Sequence, residues 1–279
     1  MQIERSFLSS RVARRVFFLF ILCALLPVGA LSLVSFSDVT GQLTQQAERR
    51  VRQESKAMGM AIYQRLLLLN AELLSISRQH QATPTVVPDE VPPQPLPGTP
   101  GFPGMAYLSS DGTANLLLGE LRTVPALSPA QWSLLRQRKT LLITVNDEQG
   151  LARLFLVRGV DTDERAIVAE VNGEYLWDLG GSMTLPADMA MCVFGNAADV
   201  LFCSPSAPAK LREQRVGQGE GASTALLEWR DEEDTYIAGY WSIPLRYQFS
   251  TAPWTVLLSE SRRSVLAPLA SFHYRFSLV

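Results

Sequence analysis

The sequence predicts an α+β protein in which one membrane-spanning helix leads into a long stalk helix, two antiparallel β-sheet modules and a C-terminal return helix. Three observations predict this class. Residues 16–36 form an uncharged apolar run, residues 37–81 carry apolar residues at helical spacing, and short strand-like runs alternate with turn signals from residue 105 onward. A last helical pattern, rich in apolar residues, occupies residues 261–279.

The composition is that of a folded domain. The chain has 279 residues, of which 47% are hydrophobic and 19% charged, so it is long enough to bury one large core or two small ones. Its formal net charge is −2, and no stripe of lysine and arginine alternates with aromatic residues. Both features argue against nucleic acid as a partner.

Residues 16–36 are long enough to cross a bilayer. Twenty-one residues pass there without a charge, and at about 1.5 Å per residue they form a helix of roughly 32 Å, against a hydrocarbon core of about 30 Å. Four arginines precede the run between residues 5 and 15. The positive-inside rule therefore predicts a bacterial inner-membrane protein with a cytoplasmic N-terminus and a periplasmic main domain. The alternative is a cleaved signal peptide, because Val28-Gly29-Ala30 resembles a cleavage site.

Residues 37–81 predict a stalk helix with one apolar side. This side either packs on the chain's own modules or forms the seam of a parallel homodimer, although Gly41 and Gly59 interrupt a strict heptad. The opposite side is polar. The apolar residues are Val39, Leu43, Ala47, Val51, Met58, Ile62, Leu66, Leu69, Leu73 and Ile76.

The rest of the chain divides into a spacer and two modules. Eight prolines in residues 82–104 exclude helix and strand and predict an extended spacer. Each module then begins with a hairpin and continues with three further strands. In the first module a helix that begins at Ser128 and Pro129 follows the hairpin. In the second module a polar loop at residues 204–223 follows the hairpin. The predicted segments are a cytoplasmic N-terminus (1–15), a transmembrane helix (16–36), a stalk (37–81), a proline-rich spacer (82–104), a membrane-distal module (105–182), a membrane-proximal module (183–260) and a return helix (261–279) that leads toward a second membrane segment.

Two cysteines occupy mirrored positions of the second predicted hairpin. Facing residues of adjacent antiparallel strands come close enough for a bridge, and a periplasmic location would let it persist. We therefore expect a disulfide between Cys192 and Cys203. Two buried free thiols or a redox sensor are the alternatives, and Cys23 lies inside the apolar run.

A small-molecule site is predicted in the first module. Trp132 and Arg136 are four residues apart on one helix, and Arg158 on a strand could add a second cation that binds a carboxylate. The competing interpretation places Trp132 in the core and both arginines on the surface.

Neither catalysis nor cofactor binding is predicted. The two histidines, His80 and His273, are far apart in the sequence, and no HExxH, Walker or GxSxG motif occurs. Acidic clusters at residues 161–164 and 231–234 fit solvated hairpin turns better than a metal site. We therefore predict no metal, no cofactor and no enzymatic activity.

The order of elements resembles the double Cache domains, with PAS-like modules, of bacterial transmembrane receptors. The local phrases that support the resemblance are Leu22-Cys23-Ala24-Leu25-Leu26-Pro27, the stalk from Ser55 to Leu66, and Pro253 to Glu260 before the return helix. The resemblance covers nearly the whole chain from Arg14 onward. It is strongest with a group of sensors that carry diguanylate cyclase or phosphodiesterase output domains.

The resemblance implies an extracytoplasmic input domain that senses a small ligand or an envelope condition and relays it through helices to a cyclic-di-GMP-related output domain, which this sequence lacks. The aromatic and arginine signature of amino-acid-binding double Cache domains is not legible around Trp132 and Arg136, so no ligand follows from it. A membrane-anchored periplasmic docking protein is the second hypothesis. An exported hydrolase is the third, but no nucleophile and base pair is recognisable.

Overall fold

The computed structural model describes residues 11–82, 98–147, 150–160, 165–178, 185–186, 188–195, 199–212, 224–231 and 234–268. They form two compact units. One unit comprises Met1–Ala47 with Val265–Val279, and the other comprises Glu48–Ser264 and carries every strand. Most of the predicted spacer, residues 83–97, lies outside the described residues.

A single helix, α1 (Arg11–Ala82), contains both the predicted membrane segment and the predicted stalk. Pro27 lies inside it and does not end it. The apolar side chains between Phe17 and Phe36 are exposed, as expected of residues that contact lipid. Within the described part of the chain, α1 is the one helix long and apolar enough to cross a membrane.

The first sheet contains five antiparallel strands in the order β2-β1-β5-β4-β3. Ser128 caps helix α2 as the sequence predicted, and Gln131 completes a capping box with it. Asn172 caps helix α3. The elements are β1 (Gly104–Ser109), β2 (Ala114–Gly119), α2 (Pro129–Arg136), β3 (Thr140–Asn146), β4 (Ala152–Gly159), β5 (Arg165–Glu170) and α3 (Gly173–Trp177).

The second sheet repeats this plan in the order β7-β6-β10-β9-β8. The predicted loop at residues 204–223 contains a short helix, α4, and another short helix, α5, precedes the last strand. The last helix, α6, is described over residues 262–268 and follows directly after the last strand, which ends at Ser261. The other elements are β6 (Met189–Phe194), β7 (Val200–Cys203), α4 (Ala209–Arg212), β8 (Thr224–Arg230), β9 (Thr235–Ile243), α5 (Arg246–Phe249) and β10 (Trp254–Ser261).

The apolar side of the stalk is buried against the chain's own sheets. In the second unit, one continuous core joins α1 to residues of both sheets, for example Leu156 of β4 and Val256 of β10. The sequence left open whether this apolar side packs on the chain's own modules or on a second copy, and the structure shows that it packs on the chain's own sheets. These contacts do not test a dimer seam nearer the membrane, where Val39 of the same stripe is exposed, so the homodimer stays a prediction. The stalk residues in this core are Met58, Ile62, Leu66, Leu69 and Leu73.

Candidate functional site

A cleft formed by described residues lies at one edge of the first sheet. The start of β1, the end of β2, the start of β4 and the end of β5 meet there because neighbouring strands are antiparallel. Its volume is about 660 Å³, within the range of small-molecule sites. The lining residues are Pro103, Gly119, Glu120, Arg122, Arg153, Glu170, Val171, Asn172, Gly173 and Glu174.

Close backbone contacts shape one wall of this cleft. Gly119 has a φ of +58°, and a Cβ atom there would overlap the carbonyl oxygen of Pro103. The next residue, Glu120, donates its backbone N–H to the same oxygen at 3.1 Å. Only glycine combines this conformation with so close an approach, so the end of β2 directs Glu120 and Arg122 to the rim.

The base of the cleft is a partly buried ion pair. The Arg153 Nη1 atom lies 2.8 Å from Oε1 of Glu170, and Arg153 Nε lies 3.4 Å from Oδ2 of Asp147. Arg153 Nε is buried and has no hydrogen-bond partner in the structure. Arg153 and Glu170 thus hold each other in place at the base of the cleft.

Three charged side chains on the rim have no partner in the described part of the chain. Glu120 and Arg122 follow β2, and Glu174 lies in the first turn of α3; all three are exposed. Asn172 differs, since its amide donates to the carbonyl of Pro100 and accepts from the N–H of Glu174. Three carboxylates and two guanidinium groups thus line the cleft, and the rim charges are available to a ligand.

The three side chains predicted to form the ligand site do not converge. Trp132 packs from α2 onto one face of the first sheet, next to Phe155 and Val157. Arg136 is exposed at the end of α2. Arg158 follows Val157 in β4 and therefore points to the opposite face. The three residues do not form one group in this structure and none of them lines the cleft, so their role in ligand binding stays a prediction.

Arg158 instead belongs to a buried polar chain beneath the stalk. Its Nη1 donates to Thr140 Oγ1 at 2.9 Å, and that hydroxyl donates to Oδ1 of Asn70 in α1 at 2.9 Å. Burial lowers the pKa of Arg158, and the charges of Arg78 and Arg138 add to the effect. This chain fixes the stalk on the first sheet.

Sequence reasoning missed the residues of the cleft, although one signal was present. Arg153 and Glu170 occupy inward positions in β4 and β5, on the face that also carries Phe155 and Val168. Charged residues at such positions are rare and are normally paired or functional.

The cysteines of the second sheet face each other as the hairpin predicted. Cys192 of β6 pairs with Cys203 of β7 in the strand register. Their Cα atoms are 4.1 Å apart and their sulfur atoms are at bonding distance. The bridge itself remains a proposal that a chemical measurement must test.

The fold, a long helix followed by two antiparallel five-stranded sheets, is double-Cache-like. The chain is similar to the ligand-binding domain of the chemoreceptor PctB of Pseudomonas aeruginosa PAO1 in complex with L-Arg (14% identity, TM-score 0.52), covering 80% of this chain and 98% of that domain. It is also similar to the ligand-binding domain of Mlp24 with asparagine (14% identity, TM-score 0.53), covering 83% of this chain and 99% of that one.

A third similar structure is the ligand-binding domain of the chemoreceptor CtaA of Pseudomonas fluorescens with L-isoleucine. The identity is 11% and the TM-score 0.54, over 81% of this chain and 97% of that domain. At these identities the similarity shows a shared fold and not a shared ligand. No family model matches the sequence, and no curated protein matches it as a relative.

Proposed function

We propose that this chain is the periplasmic input part of a bacterial membrane-bound signalling protein, and that its cleft binds a small molecule carrying a protonated amine and a carboxylate. The observation that carries the proposal is the set of unpartnered rim charges Glu120, Arg122 and Glu174 above the Arg153–Glu170 pair. Carboxylates accept hydrogen bonds from an ammonium group, and a guanidinium binds a carboxylate in bidentate geometry.

The ligands of the similar structures support this chemistry. PctB, Mlp24 and CtaA are described with L-Arg, asparagine and L-isoleucine, all of which carry an ammonium and a carboxylate group. The cleft of this chain has one carboxylate more than it has guanidinium groups. We therefore expect amino acids with a second amine, or diamines, to bind more tightly than acidic amino acids.

Ligand titration of the full chain in lipid nanodiscs tests the proposal. A panel of L-amino acids, diamines and carboxylic acids is screened by thermal shift, because a ligand that binds the native state raises the melting temperature by mass action. We expect Glu174→Gln and Arg122→Gln each to weaken the best binder about tenfold, or about 1.4 kcal/mol. Glu228→Gln, an exposed carboxylate of β8, is the matched control.

Two results would count against a sensor of such ligands. One is that no compound of the panel binds. The other is that a compound binds with equal affinity to the wild type and to the two cleft variants. Either would move support to a periplasmic docking protein.

The signal would pass through α1 and α6. Ligand binding must favour one of two conformations of these helices for any signal to result, so the mechanism is a shift in population. The proposed orientation places residues 1–15 in the cytoplasm and both sheets in the periplasm. The proposed output is cyclic-di-GMP related, and ligand-dependent cyclic-di-GMP levels in cells that produce the full-length protein would test it.

A homodimer would use the side of the stalk that the sheets leave open. Ala57, Met60, Gln64, Leu68 and Ala71 are exposed and recur three or four residues apart on α1. In a Cys23→Ser background, oxidation of Met60→Cys should give a covalent dimer on a non-reducing gel. Ile62→Cys, at a buried position of the same helix, should not. Equal cross-linking at the two positions would rule out this seam.

A further inference from the structure

Three charged residues from separate parts of the second unit meet near the end of the last strand. Arg50 of α1 places Nη2 3.4 Å from Oδ2 of Asp188, which precedes β6, and Nη1 3.6 Å from Oε1 of Glu260 in β10. The Glu260 side chain is only 3% exposed, whereas that of Arg50 is 42% exposed. One guanidinium thus faces two carboxylates, of which one is buried.

Among the described residues, Arg50 is the cation that opposes the burial of the Glu260 carboxylate. The partners of Glu260 in the sheet are Met189 of β6 and Ile237 of β9, and its Oε2 atom is buried without a hydrogen bond. Burial raises the pKa of Glu260 to about 7; Arg50 opposes this rise and the carboxylate of Asp188 adds to it. Glu260 therefore passes from its protonated to its ionised form near neutral pH.

Glu260 lies close to the start of helix α6, so its charge acts on the junction between β10 and α6. Helix α6 begins two residues later, and its start is held by Asp234, which accepts hydrogen bonds from the Ser261 hydroxyl and the backbone N–H of Thr235. Burial of Asp234 acts against its ionisation, but these hydrogen bonds together lower its pKa. Asp234 thus remains an anionic anchor while Glu260 gains or loses its proton.

We propose that Arg50, Asp188 and Glu260 form a proton-operated switch that sets how α1 and the start of α6 are held on the second sheet. In the protonated form, the Glu260 O–H donates to the Asp188 carboxylate, and the single positive charge of Arg50 balances the single remaining negative charge. In the ionised form, two carboxylates compete for Arg50, so the β10–α6 junction is released. The switch would make pH a second input, separate from the cleft.

Hydrogen exchange of the full chain in nanodiscs tests the switch between pH 5 and pH 9, after correction for the intrinsic dependence of exchange on pH. We expect the peptides around Arg50 and around the β10–α6 junction to change protection together, with a midpoint near pH 7. Glu260→Gln should keep the low-pH pattern throughout, whereas the control Glu228→Gln should behave as the wild type.

The proposal is overturned if the wild type shows no transition, if Glu260→Gln retains one, or if Glu228→Gln abolishes it. Should Glu260→Gln fail to fold, Asp188→Asn provides the second measurement. Removing this neighbouring carboxylate should lower the midpoint by about one pH unit, and an unchanged midpoint would overturn the proposal. Ligand affinity at the cleft is measured separately, so a negative result there leaves this test intact.

Discussion

Arg153 and Glu170 form a charged pair on a sheet face that is otherwise apolar. Their strand neighbours on that face, such as Phe155 and Val168, pack into an apolar core under α2. The pair ends this core at the sheet edge, where both side chains keep some contact with water and an ion pair is less costly to place than in the interior.

Removing the cation of this pair should destabilise the protein. Arg153→Met leaves the carboxylates of Glu170 and Asp147 without their cation, and we expect the free energy of unfolding to fall by about 3 kcal/mol. The double variant Arg153→Met/Glu170→Met should recover most of this loss. Urea unfolding of the full chain measures both, with Arg230→Met on exposed β8 as the control. A loss below that of the control would mean that the pair is not structural.

Glu260 gives the stability a pH dependence of known sign. Its pKa in the folded chain, about 7, exceeds the ordinary value of 4.5, so the unfolded chain loses this proton at lower pH than the folded chain. The folded state therefore loses stability as pH rises from about 4.5 to about 7. We expect the melting temperature of Glu260→Gln to exceed that of the wild type increasingly over this interval. A constant difference across the interval would contradict the assignment.

Gly41 and Gly59 of α1 lie in different surroundings. At Gly59 an added Cβ atom would overlap the ring of Trp241 in β9, whereas nothing lies within 4 Å of the corresponding point at Gly41. The sequence suggested only that both glycines interrupt a heptad. The structure shows that Gly59 is required for the close approach of α1 to the second sheet.

Alanine substitution at each position distinguishes Gly59, which lies against Trp241, from Gly41, where an added Cβ meets nothing within 4 Å. Gly59→Ala should lower the free energy of unfolding by about 1–3 kcal/mol through overpacking. Gly41→Ala should be neutral or should stabilise α1 by up to about 1 kcal/mol, because alanine is the better helix former. Thermal unfolding of the two variants in parallel measures the difference. Similar effects at both positions would contradict the close contact at Gly59.

The hairpin of β6 and β7 carries the proposed disulfide. Cys203 lies eleven positions after Cys192 in the sequence, and closing a loop of this size stabilises a fold by about 3 kcal/mol in the chain-entropy model. Cys192→Ala/Cys203→Ala should lose stability of this order in the full chain. Mass spectrometry of the protein alkylated without reduction should find only Cys23 labelled. Alkylation of Cys192 in the unfolded, unreduced protein would exclude the bridge.

At the scale of the whole molecule, the topology across the membrane decides what the sheets can contact. An impermeant maleimide applied to whole cells should label Thr113→Cys, at the exposed tip of the β1–β2 hairpin. It should leave Ser9→Cys, before the apolar run, unlabelled until the cells are lysed. The opposite pattern would place the sheets in the cytoplasm and contradict the proposed sensor.

The sequence by itself determined the elements of this protein and their order. The charge-free run and the helical stripe predicted one long helix. The alternation of apolar residues with turn signals predicted ten short strands close to their observed positions, for example Thr140–Asn146 and Val200–Cys203. These features depend on local spacing and capping, which a sequence contains directly.

Only the tertiary structure decided which surfaces are used. It assigned the stalk stripe to the chain's own core, separated Arg158 from Trp132 by a sheet, and brought Arg153, Glu170 and Glu174 to one edge of that sheet. It also joined Arg50 to Glu260 across more than two hundred residues. Spacing along a strand separates its two faces, but it gives neither the order of the strands in the sheet nor the element that covers each face.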